Sequence, residues 1–270
     1  MVRIGLIQLN SGNEVAENID IIEAYIREAH SGGAEFISTP ETSHLMEMNR
    51  DLVLSKAKPE SEDEGVKRFA ALASELGIWL HIGSLIIKVG EEKLANRAFL
   101  FSPAGDIAAH YDKLHLFDVD LPGGESYRES RLYQAGENAV VAETPFAKLG
   151  ISICYDLRFP YLYRDMADNG ANILLIPAAF TQKTGEAHWH TLMKARAIET
   201  GCYVVAAAQT GLHATGRGTY GHSLVIDPWG EVLVDAGTEV GVTLVDIDLA
   251  KVEETRLIMP SLKHTRTYEL

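Results

Sequence analysis

The sequence predicts an α/β fold in which helices cover one mixed β-sheet or two. Short apolar, β-branched runs alternate with segments of helical periodicity along the whole chain. Some runs lead directly into a helix and others pair across a short turn, so parallel and antiparallel neighbours are both expected. No repeat, low-complexity stretch or Pro-, Gly- or Ser-rich linker divides the chain, and we therefore expect a single domain over residues 1–270.

The first half of the chain contains the clearest helical pattern. Ile19, Ile22 and Ile26 recur at helical spacing within residues 13–33, before a Gly-Gly stop. Acidic residues open a second expected helix over 62–76. The other segments are predicted as strands over 3–9, 35–40 and 78–87, and a hairpin over 96–113 that turns at Pro-Ala-Gly-Asp.

The second half of the chain also alternates between predicted helices and strands. Helices are predicted near 160–168 and over 186–200, and a short helix follows the last strand. The strands are predicted as a pair over 140–154, single strands over 171–180, 202–209 and 240–249, and a hairpin over 221–236 that turns at Asp-Pro-Trp-Gly.

Composition and charge exclude several function classes. The net charge is −14 and 46% of the residues are hydrophobic, as in ordinary globular proteins. Such an acidic surface repels phosphate backbones and anionic lipid, so we expect neither nucleic-acid nor membrane binding. No apolar run approaches the ~20 residues of a membrane span, and the first residues lack the features of a signal peptide. With only two cysteines, a disulfide framework is not expected, and we predict a cytoplasmic protein.

Cys154 occupies a position where nucleophiles are often found. The stretch "GISICYDLRFP" places it between an apolar strand and a turn into a helix, and such elbows expose a side chain at the edge of a sheet. Backbone N–H groups at the start of the helix could stabilise an oxyanion. From this position alone, a buried structural thiol is the more common outcome.

Metal binding has weaker support. No second cysteine lies near Cys154, and His188 and His190 form an H-x-H pair whose side chains diverge on a helix. We therefore expect no metal and no organic cofactor. Cys202 lies in an apolar strand and is predicted to be core; it is also the sole candidate for the resolving cysteine of a thiol-redox protein.

Two further stretches contain candidate partners for the thiol. Glu41 follows a strand and a proline in "FISTPETS", and Lys113 ends a strand in "HYDKLHLFD". A cysteine hydrolase needs a base for the thiol proton and a donor for the oxyanion. Taken singly, an exposed loop acid and a lysine with a buried aliphatic stem are more common than catalytic groups.

An ordered set of motifs spans the chain and consists of "TPETS", "YDKLHLFDVDLPG", "RESRLYQAGE", "GISICYDLRFPYLYRDMADNGA", "AAFTQKTGEAHWHTLMKARAIETGCYVVAAAQTG" and "YGHSLVIDPWGEVL". Taken together, these motifs resemble the nitrilase superfamily of carbon–nitrogen hydrolases. Within it the sequence is most similar to the Nit branch, and to its Nit1-type deaminated glutathione amidases.

The resemblance implies roles for four residues. Cys154 matches the nucleophile of the family, Glu41 its general base, Lys113 its oxyanion-stabilising lysine and Glu129 a second glutamate that orients the site. The backbone N–H of Tyr155 would share the oxyanion with Lys113.

The resemblance also implies an amidase reaction. The expected substrate is a small amide with a carboxylate, such as deaminated glutathione or a 2-oxo dicarboxylic acid monoamide, hydrolysed to acid and ammonia through a thioester. An ω-amidase of the 2-oxoglutaramate type and a nitrilase are alternatives. True nitrilases usually have Cys-Trp-Glu at the elbow, whereas this chain has Cys154-Tyr155-Asp156, which favours amides.

Candidate substrate-binding residues lie near the elbow and after the strand "NILLIPAAF". Tyr155 and Arg158 belong to the first group, and Arg158 could bind a substrate carboxylate or pair with Asp156. Thr181 and Thr184 belong to the second, and their hydroxyls could contact a carboxylate or an amide. The helix motif also departs from the family, because His190 occupies a position where many Nit-like sequences have glutamate.

The superfamily fold implied by the resemblance is a four-layer α-β-β-α sandwich, with two mixed sheets flanked by helices. Family members usually dimerise, so we expect a homodimer or a higher homo-oligomer. The tail over about 258–270 is expected to cross to the partner, and the helix near 160–168 to form the interface.

Overall fold

A computed structural model describes residues 1–121 and 124–269 of the chain. Within these residues it contains sixteen strands and six α-helices. The strands are β1 Val2–Gln8, β2 Phe36–Ser38, β3 Trp79–Lys88, β4 Leu94–Phe101, β5 Ile107–Asp112, β6 Asp118–Asp120, β7 Ser126–Arg128, β8 Val140–Glu143, β9 Lys148–Ile151, β10 Ile173–Leu175, β11 Tyr203–Ala206, β12 Thr210–Leu212, β13 Gly218–Tyr220, β14 Leu224–Ile226, β15 Val232–Asp235 and β16 Gly241–Ile247. The helices are α1 Val15–Ser31, α2 Arg50–Lys56, α3 Glu64–Leu76, α4 Pro160–Asp168, α5 Gln182–Thr200 and α6 Ala250–Ile258.

Two six-stranded mixed sheets form the centre of the molecule. The first has the strand order β16-β1-β2-β3-β4-β5, and β1, β2 and β3 run parallel to one another. The second has the order β15-β14-β11-β10-β9-β8, and β9, β10 and β11 are parallel. In both sheets the outer strands pair antiparallel: β3–β4 and β8–β9 join consecutive strands, whereas β1–β16 joins the two ends of the chain. Two short hairpins, β6–β7 and β12–β13, lie outside these sheets.

The hydrophobic core defines four layers. Side chains of both sheets, including Leu6, Leu100, Ile151 and Leu175, share one core between the sheets. A second core lies between the other face of the first sheet and helices α1 and α3. Helices α4 and α5 pack against the second sheet. The predicted α/β class and the four-layer α-β-β-α sandwich are therefore confirmed.

Sequence patterns located most elements but missed three. The predicted hairpin over 221–236 appears as β14 and β15, and the helix expected over 186–200 begins earlier, at Gln182. Helix α2 and the two short hairpins were not predicted. Among the described residues, none of the helices is long and apolar enough to cross a membrane.

The C-terminal segment contacts its own chain before it ends. Arg164 of α4 donates to the carbonyl of Leu262 at 2.7 Å and to the hydroxyl of Thr265 at 2.8 Å. The side chains after Thr265 are more exposed to solvent, and Tyr268 is 81% exposed. Leu270, the last residue of the expected tail, lies outside the described residues.

Candidate active site

Three loops at the ends of strands bring the predicted catalytic residues together. Glu41 follows β2, Lys113 directly follows β5, and Cys154 follows β9. Parallel strands of a sheet present their carboxyl ends at one edge, and the two sheets place these edges next to each other. All three side chains are buried and line one cavity.

Lys113 lies between two carboxylates. Its Nζ donates to Oε1 of Glu41 at 2.9 Å and to Oε2 of Glu129 at 3.0 Å. The lysine side chain is 2% exposed, so both ion pairs are shielded from water. A buried charge needs such partners, and this explains why an ammonium is stable at this depth.

Asn96 is a member of this cluster that the sequence analysis missed. Its amide donates to Oε1 of Glu41 at 2.9 Å and to Oε1 of Glu129 at 3.3 Å. The backbone N–H of Ala179 donates to the other oxygen of Glu41 at 2.8 Å. A polar residue inside the buried strand β4 was the available signal for Asn96, because such a group requires partners.

Cys154 has an unusual backbone conformation. Its φ is +48°, in the left-handed region that non-glycine residues seldom occupy. The backbone N–H of Cys154 donates to the carbonyl of Pro177 at 2.9 Å, which fixes the turn against the neighbouring strand. Strain of this kind is often found at functional sites, where the surroundings enforce it.

The carboxylate of Asp156 stabilises the turn that contains Cys154. Its two oxygens accept from the hydroxyl of Tyr111 at 2.7 Å, the N–H of Ile153 at 2.8 Å and the ring of His115 at 2.7 Å. These contacts occupy the carboxylate that sequence analysis offered as a partner for Arg158. The residue is fully buried, and its role in the structure is to fix the elbow that presents Cys154.

Gly83 permits the two sheets to approach each other next to the site. A Cβ atom on this residue would lie 2.1 Å from the carbonyl oxygen of Thr39 and 2.4 Å from Cβ of Pro177. Thr39 belongs to the segment that carries Glu41, and Pro177 accepts the hydrogen bond from Cys154. The glycine therefore sets the distance between the loops that carry the acid and the thiol.

The electrostatics of the cluster keep the acid charged and the thiol neutral. Burial alone would raise the pKa of Glu41, but the charge and hydrogen bond of Lys113 outweigh it and hold that pKa below its usual range. Burial, followed by the charge of Glu41, raises the pKa of the Cys154 thiol well above its ordinary value. Burial opposes the charge of Lys113, yet Glu129 and Glu41 together raise its pKa. The resting site thus contains a carboxylate base beside a protonated thiol.

The cavity that joins these groups has a volume of about 250 Å³. Tyr155, Thr181 and Thr184 line it, as do Phe117 and Tyr127. The hydroxyls of Thr181 and Thr184 lie 2.8 Å apart. Three of the four predicted substrate-binding residues therefore face the same space as the thiol.

Arg158, the fourth, is not among the described residues that line the cavity. Its guanidinium lies 5.9 Å from the ring centre of Tyr155 and 5.3 Å from that of Phe180. Its nitrogens are 3.4 Å from Nδ1 of His188. The residue supports the aromatic wall formed by Tyr155 and Phe180.

Arg217 is a cation in the cavity that sequence analysis missed. Its guanidinium donates to the carbonyl of Ala179 at 2.6 Å and lies 5.5 Å from the ring centre of Tyr127. Its Nε is buried and has no hydrogen-bond partner among the described residues. The segment "HATGRGTY" gave no signal for this residue, because only the fold brings the hairpin β12–β13 over the site.

Cys202 does not belong to the cluster of Glu41, Lys113 and Cys154. Its Sγ donates to the carbonyl of Ala171 at 3.2 Å and contacts the guanidinium of Arg256 at 3.0 Å. Cys154 and Cys202 are both free and buried. The arrangement offers no support for a thiol-redox pair.

Comparison with known proteins establishes the family. The carbon–nitrogen hydrolase family model matches residues 3–257. The chain belongs to the carbon–nitrogen hydrolase family. The resemblance to the nitrilase superfamily of carbon–nitrogen hydrolases is therefore confirmed.

This carbon–nitrogen hydrolase has close curated relatives. It is 38% identical over 266 residues to the deaminated glutathione amidase of Yersinia enterocolitica, with 97% of this chain and 92% of the relative covered. It is 35% identical over 269 residues to human omega-amidase NIT2, with coverage of 98% and 95%. These relatives confirm the resemblance to the Nit branch, and the chain is a hydrolase that acts on the C–N bonds of amides.

A solved structure agrees with these matches. The crystal structure of the Caenorhabditis elegans NitFhit protein superimposes on this carbon–nitrogen hydrolase with a TM-score of 0.90 at 37% identity. The alignment covers 98% of this chain and 65% of that protein, so this chain spans less than two thirds of the length of NitFhit.

Proposed function

We propose that the enzyme hydrolyses the amide of a small carboxylate-bearing acid through a thioester on Cys154. The observation that carries the proposal is the position of Lys113 between Glu41 and Glu129, beside a protonated thiol in the same cavity. This arrangement supplies a nucleophile, a base and a cation for the developing oxyanion.

In the first half-reaction, Sγ of Cys154 attacks the carbonyl carbon as its proton passes to Glu41. The negative charge that develops on the carbonyl oxygen is stabilised by the ammonium of Lys113 and the N–H of Tyr155. The C–N bond then breaks, and Glu41 returns the proton to the leaving amine.

In the second half-reaction, water attacks the thioester carbon and gives a proton to Glu41. The tetrahedral intermediate collapses, the C–S bond breaks, and Glu41 returns the proton to the sulfur. Glu129 and Asn96 hold Lys113 and Glu41 in position through both steps and do not exchange protons.

The acyl portion of the substrate is proposed to carry a carboxylate that binds Arg217. Arg217 lines the cavity, and its guanidinium is suited to a carboxylate, which it would contact by charge-assisted hydrogen bonds. Tyr155, Thr181 and Thr184 contact the rest of the acyl chain. For Arg158 we propose a supporting role behind Tyr155, in place of direct contact with the substrate.

Among amides of this class we propose deaminated glutathione first, because the relative from Y. enterocolitica is named a deaminated glutathione amidase. A 2-oxo acid monoamide is the second candidate, because human NIT2 is named an omega-amidase. The amine released from a monoamide is ammonia. Deaminated glutathione would instead release a peptide amine, so the ammonia expected from the sequence applies to the monoamide alone.

The test is a panel of substrates against three proteins. Wild type should hydrolyse both carboxylate-bearing amides much faster than an uncharged amide of similar size, and should leave the matched nitriles intact. Arg217→Met should raise KM for the carboxylate-bearing amides about 10- to 100-fold, the value of a hydrogen bond to a charged group, and leave the uncharged amide unaffected. Arg158→Met is the matched control and should change KM several-fold less. An equal loss on charged and uncharged amides in Arg217→Met would refute the carboxylate contact.

We propose that residues 1–270 act as one domain and that the enzyme is a homodimer. Exposed apolar side chains on α4, α5 and the end of α6 support a shared surface: Tyr161, Ile198, Leu257, Ile258 and Met259. The exposed end of the tail, after Thr265, is proposed to reach the partner. Light scattering should give a dimer for wild type and a monomer for Ile258→Asp. A monomeric wild type would exclude the dimer.

The proposed compartment is the cytoplasm. A catalytic thiol must remain reduced, and both cysteines of this chain are free. Fractionation of the native cells, with the enzyme detected by antibody, tests this assignment.

A further inference from the structure

A cluster of two histidines and an aspartate lies outside the active site. Nε2 of His190, on α5, is 3.0 Å from Oδ2 of Asp235, at the end of β15. Nδ1 of His222, which precedes β14, is 2.9 Å from Oδ1 and 3.1 Å from Oδ2 of the same carboxylate. One ligand atom from each residue lies within 4.8 Å of the other two.

From this geometry we propose that His190, His222 and Asp235 form a binding site for a divalent transition metal ion of the zinc class. Two imidazole nitrogens and a carboxylate suit Zn²⁺, Ni²⁺ or Co²⁺, whereas Mg²⁺ and Ca²⁺ need oxygen ligands. The chain supplies three ligands, and water would complete a tetrahedral shell.

The two histidine–aspartate separations are close to those around a bound ion. Zinc–ligand bonds of about 2.0 Å in a tetrahedron separate the ligand atoms by about 3.3 Å. The histidine–aspartate separations of 2.9–3.1 Å are slightly shorter, so a small rotation of the carboxylate of Asp235 admits the ion.

Contacts with the backbone preorganise two of the three proposed ligands, Asp235 and His222. The N–H of Gly237 donates to Oδ1 of Asp235 at 2.9 Å. His222 has a φ of +56°, and its backbone carbonyl accepts from the indole of Trp189 at 2.8 Å. A left-handed conformation at a non-glycine residue is held by its surroundings, and here it directs an imidazole toward Asp235.

The site is open to solvent and separate from the catalytic cluster. The side chains of His190 and Asp235 are each 35% exposed and that of His222 is 24% exposed, which provides an entry path for an ion. None of the three lines the cavity around Cys154.

An ion at this site would tie α5 to the β14–β15 hairpin. The first turn of α5 carries Thr184, which lines the active-site cavity. Because the ion binds only the folded arrangement, it should stabilise the protein. It takes no part in the proposed hydrolysis, and its binding does not depend on that proposal.

The H-x-H pair of the sequence is not the ligand pair. His188 lies against Arg158, and this makes it a matched control on the same helix. His190 instead meets residues that are 32 and 45 positions further along the chain.

The experiment measures zinc binding to the full chain, prepared without a histidine tag and with Cys154→Ala to remove the active-site thiol. Isothermal titration should give one Zn²⁺ per chain with a micromolar or lower Kd, and Co²⁺ should give the absorption spectrum of a low-coordinate site. Saturating Zn²⁺ should raise Tm by about 5 °C, and Mg²⁺ should not.

Variants decide whether the ion binds at this cluster. His190→Gln and Asp235→Asn should each weaken Zn²⁺ binding at least tenfold and remove the rise in Tm, whereas His188→Gln should do neither. Circular dichroism and Tm without metal show whether each variant is folded. Failure of the Cys154→Ala chain to bind Zn²⁺, or unchanged binding in both folded variants, would overturn the proposal.

Discussion

Nζ of Lys113 lies 2.9 Å from Oε1 of Glu41, and both side chains are almost completely buried. The ion pair joins residues that are 72 positions apart in the chain. Because the lysine also contacts Glu129, its removal would leave two carboxylates without a cation in a site that water barely reaches.

Lys113→Met is therefore expected to reduce both stability and turnover. Loss of one partner of a buried ion pair costs about 3–5 kcal/mol. Urea denaturation measures the free energy of unfolding. Lys148→Met, which breaks the exposed pair with Glu143, is the control and should cost less than about 1 kcal/mol. Equal losses in the two variants would contradict the importance of burial at Lys113.

Cys154→Ala and Cys154→Ser are expected to abolish amide hydrolysis, by at least about a thousandfold in kcat, because no other group in the cavity replaces the thiol as nucleophile. The serine variant keeps the size of the side chain, so its Tm should change little. With wild type, a slow substrate should leave an acyl adduct that mass spectrometry locates on Cys154. A variant with full activity would exclude the thioester route.

Glu41→Gln is expected to abolish turnover and to lower the pKa of the Cys154 thiol. The negative charge of Glu41 contributes to the raised pKa of that thiol, so a neutral amide should let the thiolate form at a lower pH than in wild type. Ultraviolet absorbance of the thiolate during a pH titration measures this change, with Cys154→Ala as the blank for Cys202. An unchanged or higher thiol pKa in Glu41→Gln would show that another group sets it.

The sequence analysis singled out the residues for which we propose catalytic roles but missed two that lie beside them. Glu41, Lys113 and Cys154 each follow a strand, and the resemblance of the ordered motifs to the nitrilase superfamily is what implied their roles. Asn96 and Arg217 could not be assigned in this way, since an asparagine in a strand and an arginine in a loop acquire a role only when distant segments meet.

There are also physical reasons why the sequence analysis missed helix α2 and the start of helix α5. Helix α2 is short and mostly polar, and only Val53 is buried, so its apolar periodicity is weak. The predicted start of helix α5 lies four residues after the observed start at Gln182, because Gly185 lowers the local helix propensity on which the prediction depends. That glycine is required, since a Cβ atom would lie 2.2 Å from the ring of Tyr220.

His81 is expected to make stability depend on pH. Burial lowers its pKa to about 3, against 6.5 for the free side chain. As pH falls below 6.5, the unfolded chain binds a proton at this residue and the folded chain does not, so stability decreases as pH falls toward 3. Between pH 7 and pH 5 this residue should account for about 2 kcal/mol.

Urea denaturation of wild type and His81→Gln at both pH values measures this contribution. The variant should lose about 2 kcal/mol less than wild type over the same interval, because glutamine does not titrate. His30→Gln, on the partly exposed last turn of α1, should behave like wild type. If all three proteins lost the same free energy of unfolding between pH 7 and pH 5, His81 would titrate normally in the folded state.

Gly83→Ala is expected to damage the site without touching a reactive group. The added methyl group would lie 2.1 Å from the carbonyl oxygen of Thr39, so the backbone must move on the side that carries Glu41. Overpacking of this kind costs about 1–3 kcal/mol. Because the displaced loop carries the proposed base, kcat should fall by about 10- to 100-fold even at temperatures where the variant is fully folded. Gly90→Ala is the control, since its Cβ would meet no atom closer than 3.6 Å in an exposed turn. A variant of Gly83 that lost stability but kept kcat would show that the loops of Glu41 and Cys154 adjust independently of the contact between the sheets.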